Sequence, residues 1–220
     1  MAETTLGLTT ALADWLGRSA MRESEALKAL RAETLALPGV GNWAMAAEEG
    51  QFIALLAQIA GVKSYLELGT FTGYGTLWVA SALPDAEIIT CEAFGDHLDL
   101  ARRHWAAAGV ADRIDLRLSD ATELLDSLIA ERGENALDMV FIDADKKPYP
   151  AYYARAIRLV RPGGLVLLDN AFRHGAVADP DDRSKATQAI RDVTLTIRDD
   201  DRVDMALVPI ADGLLIARKR

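Results

Sequence analysis

From Val62 onward, short apolar runs alternate with amphipathic stretches, and this alternation constrains the fold more than any other feature of the chain. Apolar runs of strand length fall at residues 65–68, 87–91, 114–118, 137–142 and 165–168. Residues 76–83, 97–108, 122–130, 149–160 and 185–197 carry helical patterns between and after them. Parallel neighbours need a long crossover, and a helix supplies it. The pattern predicts an α/β fold with a doubly wound, mostly parallel sheet. Two further strands are expected at residues 203–209 and 213–217, which brings the sheet to seven. Their link is too short for a crossover, so they should pair as a C-terminal antiparallel hairpin.

Residues 6–60 read as extra N-terminal helices. Trp15, Leu16, Leu27, Leu30 and Leu35 fall near helical spacing, and Phe52, Ile53, Leu55, Leu56 and Ile59 do so more strongly. Leu37-Pro38-Gly39-Val40-Gly41-Asn42, rich in turn residues, separates the two blocks. A length of 220 residues predicts one domain, with 1–60 as a helical cover and 61–220 as the core. Half of the residues are apolar, enough for a substantial core.

The net charge of -9 and pI of about 4.9, with no basic run beyond Arg218-Lys219-Arg220, argue against a nucleic-acid partner. The lone Cys91 excludes an internal disulfide and suggests a reducing compartment. Met1-Ala2-Glu3-Thr4-Thr5 has neither the basic nor the apolar region of a signal peptide. No uncharged apolar run approaches the ~20 residues of a membrane span. The expectation is a cytoplasmic protein with no membrane partner.

The first strand runs into Glu67-Leu68-Gly69-Thr70-Phe71-Thr72-Gly73-Tyr74-Gly75. Glycines here permit a tight turn and close backbone approach to a ligand. Such a loop could serve a dinucleotide, S-adenosylmethionine or plain helix–strand packing. Its spacing is Gly-x-x-x-Gly-x-Gly, not the dinucleotide pattern Gly-x-Gly-x-x-Gly. Glu92 ends the second strand, where an acid can accept from ribose hydroxyls. Asp120 ends the third, where an acid can accept from an adenine amine. Either acid could instead cap the following helix.

Asp143 ends the fourth strand, and Asp169 and Asn170 end the fifth. In this topology those strands are neighbours about 4.8 Å apart, so two carboxylates and an amide oxygen should meet. Oxygen ligands without His or Cys suit Mg²⁺, Mn²⁺ or Ca²⁺. Lys146, three residues past Asp143, is placed to act as a general base beside such a cation. The alternatives are a solvated loop lysine and an Asx turn pair.

Together these residues resemble the caffeoyl-CoA and catechol O-methyltransferase family, class I metal-dependent methyltransferases with a Rossmann-like fold. The match runs from about Gly50 to the C-terminus. It rests on the Leu66–Tyr74 loop, Phe141-Ile142-Asp143-Ala144-Asp145-Lys146 with Tyr149, Tyr152 and Tyr153, and Arg161-Pro162-Gly163-Gly164. Asp169-Asn170 and Pro209-Ile210-Ala211-Asp212-Gly213-Leu214 complete it. The resemblance implies S-adenosylmethionine as donor and Asp143, Asp169 and Asn170 as ligands of Mg²⁺, or of Mn²⁺ or Ca²⁺. It implies Lys146 as the catalytic base. Glu92 would hold the ribose, Asp120 and Ala121 would lie near the adenine, and Gly69 would lie beside the methionine portion. Met45, Glu67, Phe71, Gly75, Ala93 and Asp143 would complete the donor site. A homodimer is implied too, with the N-terminal helices helping to cover the site.

Three positions depart from the family pattern. Gly75 stands where a serine is usual, and Trp43-Ala44-Met45-Ala46-Ala47-Glu48 lacks the usual proline. Arg173, followed by His174, stands where a tryptophan is usual. The expected reaction is methyl transfer from S-adenosylmethionine to a hydroxyl of a small vicinal diphenol, with the metal acting as Lewis acid. The alternatives are an NAD(P)-dependent oxidoreductase, against which the loop spacing speaks, and a non-catalytic donor-binding scaffold. A nucleic-acid methyltransferase is disfavoured by the acidic pI and the absence of an Asn/Asp-Pro-Pro motif.

Overall fold

The computed structural model describes residues 7–220; Leu6 and the stretch read for a signal peptide, 1–5, lie outside the described residues. Seven strands form one sheet: β1 (Ser64–Leu68), β2 (Glu87–Glu92), β3 (Ile114–Leu118), β4 (Leu137–Ile142), β5 (Val160–Leu168), β6 (Val203–Val208) and β7 (Leu214–Lys219). Their spatial order is β3-β2-β1-β4-β5-β7-β6. The first five strands run parallel. β7 pairs antiparallel with both β5 and β6, so the C-terminal hairpin forms as expected.

The helices are α1 (Thr10–Ser19), α2 (Glu25–Leu35), α3 (Ala47–Ile59), α4 (Tyr74–Ala82), α5 (Leu98–Ala107), α6 (Ala121–Arg132), α7 (Tyr149–Leu159) and α8 (Lys185–Arg198). Side-chain oxygens of Thr9, Ser24, Asp120 and Ser184 cap α1, α2, α6 and α8. The 37–42 break lies between α2 and α3 and leads into a short 3-10 turn, Gly41–Trp43.

Period-two alternation divides the core. Leu66, Leu68, Ile89, Val140, Ile142, Val166 and Leu168 face α6, α7 and α8. Tyr65, Ile88, Met139, Phe141 and Leu167 face α2, α3, α4 and α5. Strands covered on both faces must be apolar on both, which is why they read as continuous apolar runs. Each fully buried large side chain contributes roughly 1.5–3 kcal/mol.

β5 begins at Val160 rather than near residue 165: Val160 pairs with Leu137 and Leu165 with Met139, and Arg161-Pro162-Gly163-Gly164 bulges between those two rungs, with Gly163 at a φ of +82°. Helix α1 forms where Trp15 and Leu16 suggested one, but it buries none of its residues, and Trp15 remains 59% exposed. Among the described residues no helix is long and apolar enough to cross a membrane.

Candidate active site

The carboxyl ends of β1 to β5 open into one cleft of about 1480 Å³, lined by Gly69, Glu92, Asp120, Asp143 and Asp169 among others. This is the crevice where the strand order reverses, β1 being flanked by β2 on one side and β4 on the other. Backbone bonds stitch the strand ends together. Gly69 N–H donates to Cys91 O at 2.8 Å, Asp143 N–H to Leu68 O at 2.8 Å, and Asp169 N–H to Ile142 O at 3.0 Å. Gly69 must be glycine here: its φ is +99°, and a Cβ would lie 2.0 Å from the Asp143 carbonyl oxygen.

At one end of the cleft the backbone fixes Glu92. Its Oε2 accepts from Phe71 N–H at 2.8 Å, and its Oε1 accepts from Ala93 N–H at 2.9 Å and Phe94 N–H at 3.2 Å. Phe71 holds a φ of +48°, unusual for an aromatic residue, and this turn aims its N–H at Glu92. Three of the roughly four acceptor sites of the carboxylate are therefore occupied, leaving room for about one further donor. Asp120 does cap its helix: Oδ1 accepts from Thr122 N–H at 2.7 Å and Glu123 N–H at 3.1 Å. It also lines the cleft, as do Met45, Ala93 and Ala121.

Glu67 and Gly75 lie behind the cleft wall. Glu67 is 2% exposed; its Oε2 accepts from the hydroxyls of Thr76 and, at 2.6 Å, Thr90. Burial pushes Glu67 up to about 7 although both hydroxyls hold it down. A Cβ at Gly75 would lie 2.7 Å from Glu67 Oε1 and 2.9 Å from Met45 Cε, so the glycine leaves those side chains their space.

At the other end stand the candidate metal ligands and base. Lys146 Nζ donates to Asp143 Oδ1 at 2.7 Å, and the ammonium sits 5.2 Å from the Tyr149 ring centre. Burial raises Asp143, and Lys146 opposes that rise. Asp169 is 4% exposed, and burial, then the Asp143 charge, push it up to about 7. Asn170 has a φ of +57° and donates its N–H to Asp169 Oδ1 at 2.5 Å.

The profile of one family, described as O-methyltransferase, matches residues 17–220. "Catechol O-methyltransferase domain-containing protein 1" of Mus musculus is 41% identical over 205 residues, covering 93% of this chain and 78% of that protein. "Probable caffeoyl-CoA O-methyltransferase 1" of Dictyostelium discoideum is 38% identical over 175 residues, covering 79% of this chain and 76% of that protein. The chain belongs to the O-methyltransferase family of the caffeoyl-CoA and catechol type. The crystal structure of the O-methyltransferase TomG from Streptomyces achromogenes, in complex with SAM, superposes with a TM-score of 0.85 at 30% identity, over 95% of this chain and 96% of that one. Family membership makes the protein an O-methyltransferase and sets aside the oxidoreductase alternative.

The oxygen-bearing side chains at this end of the cleft fit a hard divalent cation. Asp143 and Asp169 supply carboxylate oxygens, Asn170 can add an amide oxygen, and the proximity that raises Asp169 is what a cation would relieve. Among the described residues no three His, Cys, Asp or Glu side chains form a metal cluster; this set has two carboxylates and one amide.

Sequence reasoning missed Glu49. It lies in the first turn of α3, is 1% exposed and lines the cleft. Burial first, then the Asp169 charge, push it up to about 10, and its Oε1 has no hydrogen-bond partner. The available signal was helical spacing: Glu49 stands four residues before buried Ile53 and eight before buried Ala57.

Proposed function

We propose that this O-methyltransferase transfers a methyl group from S-adenosylmethionine to one hydroxyl of a small vicinal diphenol, with a divalent cation held by Asp143, Asp169 and Asn170. The observation that carries the reading is the pairing of Lys146 with Asp143 beside Asp169, in the cleft that also holds Glu92 and Asp120. The volume of about 1480 Å³ exceeds a typical single-ligand site and accommodates donor and acceptor together.

Glu92 and Asp120 orient the donor's adenosine. Bound by those ligands, Mg²⁺ or Mn²⁺ would supply Lewis acidity to the acceptor oxygens. Lys146 accepts the hydroxyl proton at Nζ. The oxygen–methyl bond forms as the sulfur–methyl bond breaks, leaving the donor as the neutral thioether. Holding both reactants in line supplies much of the rate. The enzyme works as a homodimer, a reading supported by the exposed Leu12 and Trp15 on α1. The buried, lone Cys91 suits the reducing cytoplasm.

The test is methyl transfer to catechol with purified protein and S-adenosylmethionine. EDTA should abolish it, and Mg²⁺ or Mn²⁺ should restore it. Full activity in a demonstrably metal-free sample would overturn the metal-dependent mechanism even with methyl transfer confirmed.

A further inference from the structure

The same cleft contains an arginine that no acid answers. Arg173 lines it three residues past Asn170, and its backbone N–H donates to the Asn170 carbonyl at 3.1 Å. The loop carrying it is strapped to the segment before β7. Ala171 N–H donates to Gly213 O and Phe172 N–H to Asp212 O, each at 2.8 Å. The Phe172 ring occupies the space beside Gly213, where a Cβ would lie 2.7 Å from it. Arg173 and His174 both hold left-handed backbone, at φ +49° and +53°. Two adjacent non-glycine residues in that region persist only where the surroundings over-determine them. The loop is therefore held in a demanding shape that presents Arg173 to the cleft.

Acids line the cleft, but none is within ion-pair distance of this arginine. Its Nε is sealed from solvent without a hydrogen-bond partner, and among the described residues its guanidinium makes no ion pair. The other strong cation of the cleft, Lys146, is committed to Asp143. On the strapping segment, Asp212 Oδ1 accepts His174 N–H at 2.6 Å; its Oδ2, 3.6 Å from His174 Nδ1, has no hydrogen-bond partner and makes no ion pair with Arg173. A partly desolvated guanidinium without a partner is unfavourable by itself and favours an anion brought by a ligand. Its planar fork matches a carboxylate better than any neutral group.

We propose that Arg173 is a specificity-determining residue that binds the carboxylate of an acidic vicinal diphenol. The inference rests on the diphenol reading above and narrows it. The two hydroxyls occupy the Asp143, Asp169 and Asn170 end, and the acidic substituent reaches the loop immediately beyond Asn170.

The test compares kcat and KM for 3,4-dihydroxybenzoate and 3,4-dihydroxycinnamate with those for their neutral amides and for catechol. At least one acid should exceed its amide tenfold or more in kcat/KM, mainly through KM. Arg173→Gln should collapse that ratio toward one, and Arg173→Lys should keep part of it. Retained S-adenosylmethionine binding by calorimetry checks that the variants fold, and the wild-type acid-to-amide ratio decides without any variant. Amides used as well as both acids by the wild type, or an unaltered ratio in Arg173→Gln, overturns the inference while leaving the diphenol reading intact. No transfer to any diphenol, catechol included, overturns that reading and this inference with it.

Discussion

Lys146 Nζ donates to Asp143 Oδ1 at 2.7 Å, so the candidate base is held by the side chain that ends β4. If Lys146 accepts the acceptor's proton, Lys146→Ala should lower kcat by about 10²–10⁴-fold, the usual range for general-base catalysis. Mg²⁺ affinity, titrated separately, should change far less. Lys146→Arg keeps the positive charge but cannot give up its proton, so it should be equally slow. An active arginine variant would mean that Lys146 contributes charge alone.

Asp169 separates metal from donor. Asp169→Ala should lose methyl transfer to catechol but still bind S-adenosylmethionine by calorimetry, because the residues proposed for the adenosine, Glu92 and Asp120, stand at the ends of β2 and β3. If Asp169 served only the Asn170 turn, the variant would melt lower and keep its specific activity below that melting temperature.

Glu92 is oriented by three backbone N–H groups before any ligand arrives. Removing it should weaken S-adenosylmethionine binding by about 1–3 kcal/mol, as for hydrogen bonds to a charged group. Unchanged affinity of Glu92→Ala would remove this residue from the donor site.

Glu67 should make stability depend on pH. Its ordinary value is 4.5, and burial lifts it to about 7 in the folded protein. Below the lower value the carboxyl is neutral in both states, and its burial is tolerated. Between the two values the unfolded chain has released a proton that the folded chain still holds, so stability falls as pH rises. The total loss is on the order of 3 kcal/mol, complete once pH passes the folded value. Glu67→Gln stays neutral and can still accept from Thr76 and Thr90. Urea unfolding should therefore show a flatter pH dependence for the variant between about pH 5 and about pH 8. Identical slopes for both proteins would contradict this.

Assembly can be read directly by sedimentation. A homodimer should give about twice the chain mass of 23.8 kDa, and Trp15→Glu should shift it toward the monomer if α1 lies in the interface. A wild-type monomer at micromolar concentration would end the proposal.

The order of strands and helices was legible from Val62 onward because short continuous apolar runs mark the buried strands and a 3.6-residue period marks the helices between them. The acids at the strand ends were legible for the same reason: once β2, β3, β4 and β5 are assigned, Glu92, Asp120, Asp143 and Asp169 must come to one edge. Local pattern could not say which partners those side chains take once there. Asp120 spends Oδ1 on its own helix, whereas Glu92 caps nothing and accepts from Phe71 N–H across the loop. The bulge of Arg161-Pro162-Gly163-Gly164 stays within β5 because β4 pairs with that strand on both sides of it, at Val160 and from Leu165 onward. Glu49 reaches the Asp169 carboxylate from 120 positions earlier in the chain, and Arg173 is left without an acid by a loop strapped to Asp212 and Gly213. Secondary structure follows from near neighbours in the chain, whereas these contacts follow from how packed layers bring distant segments together, and only the tertiary structure decides them.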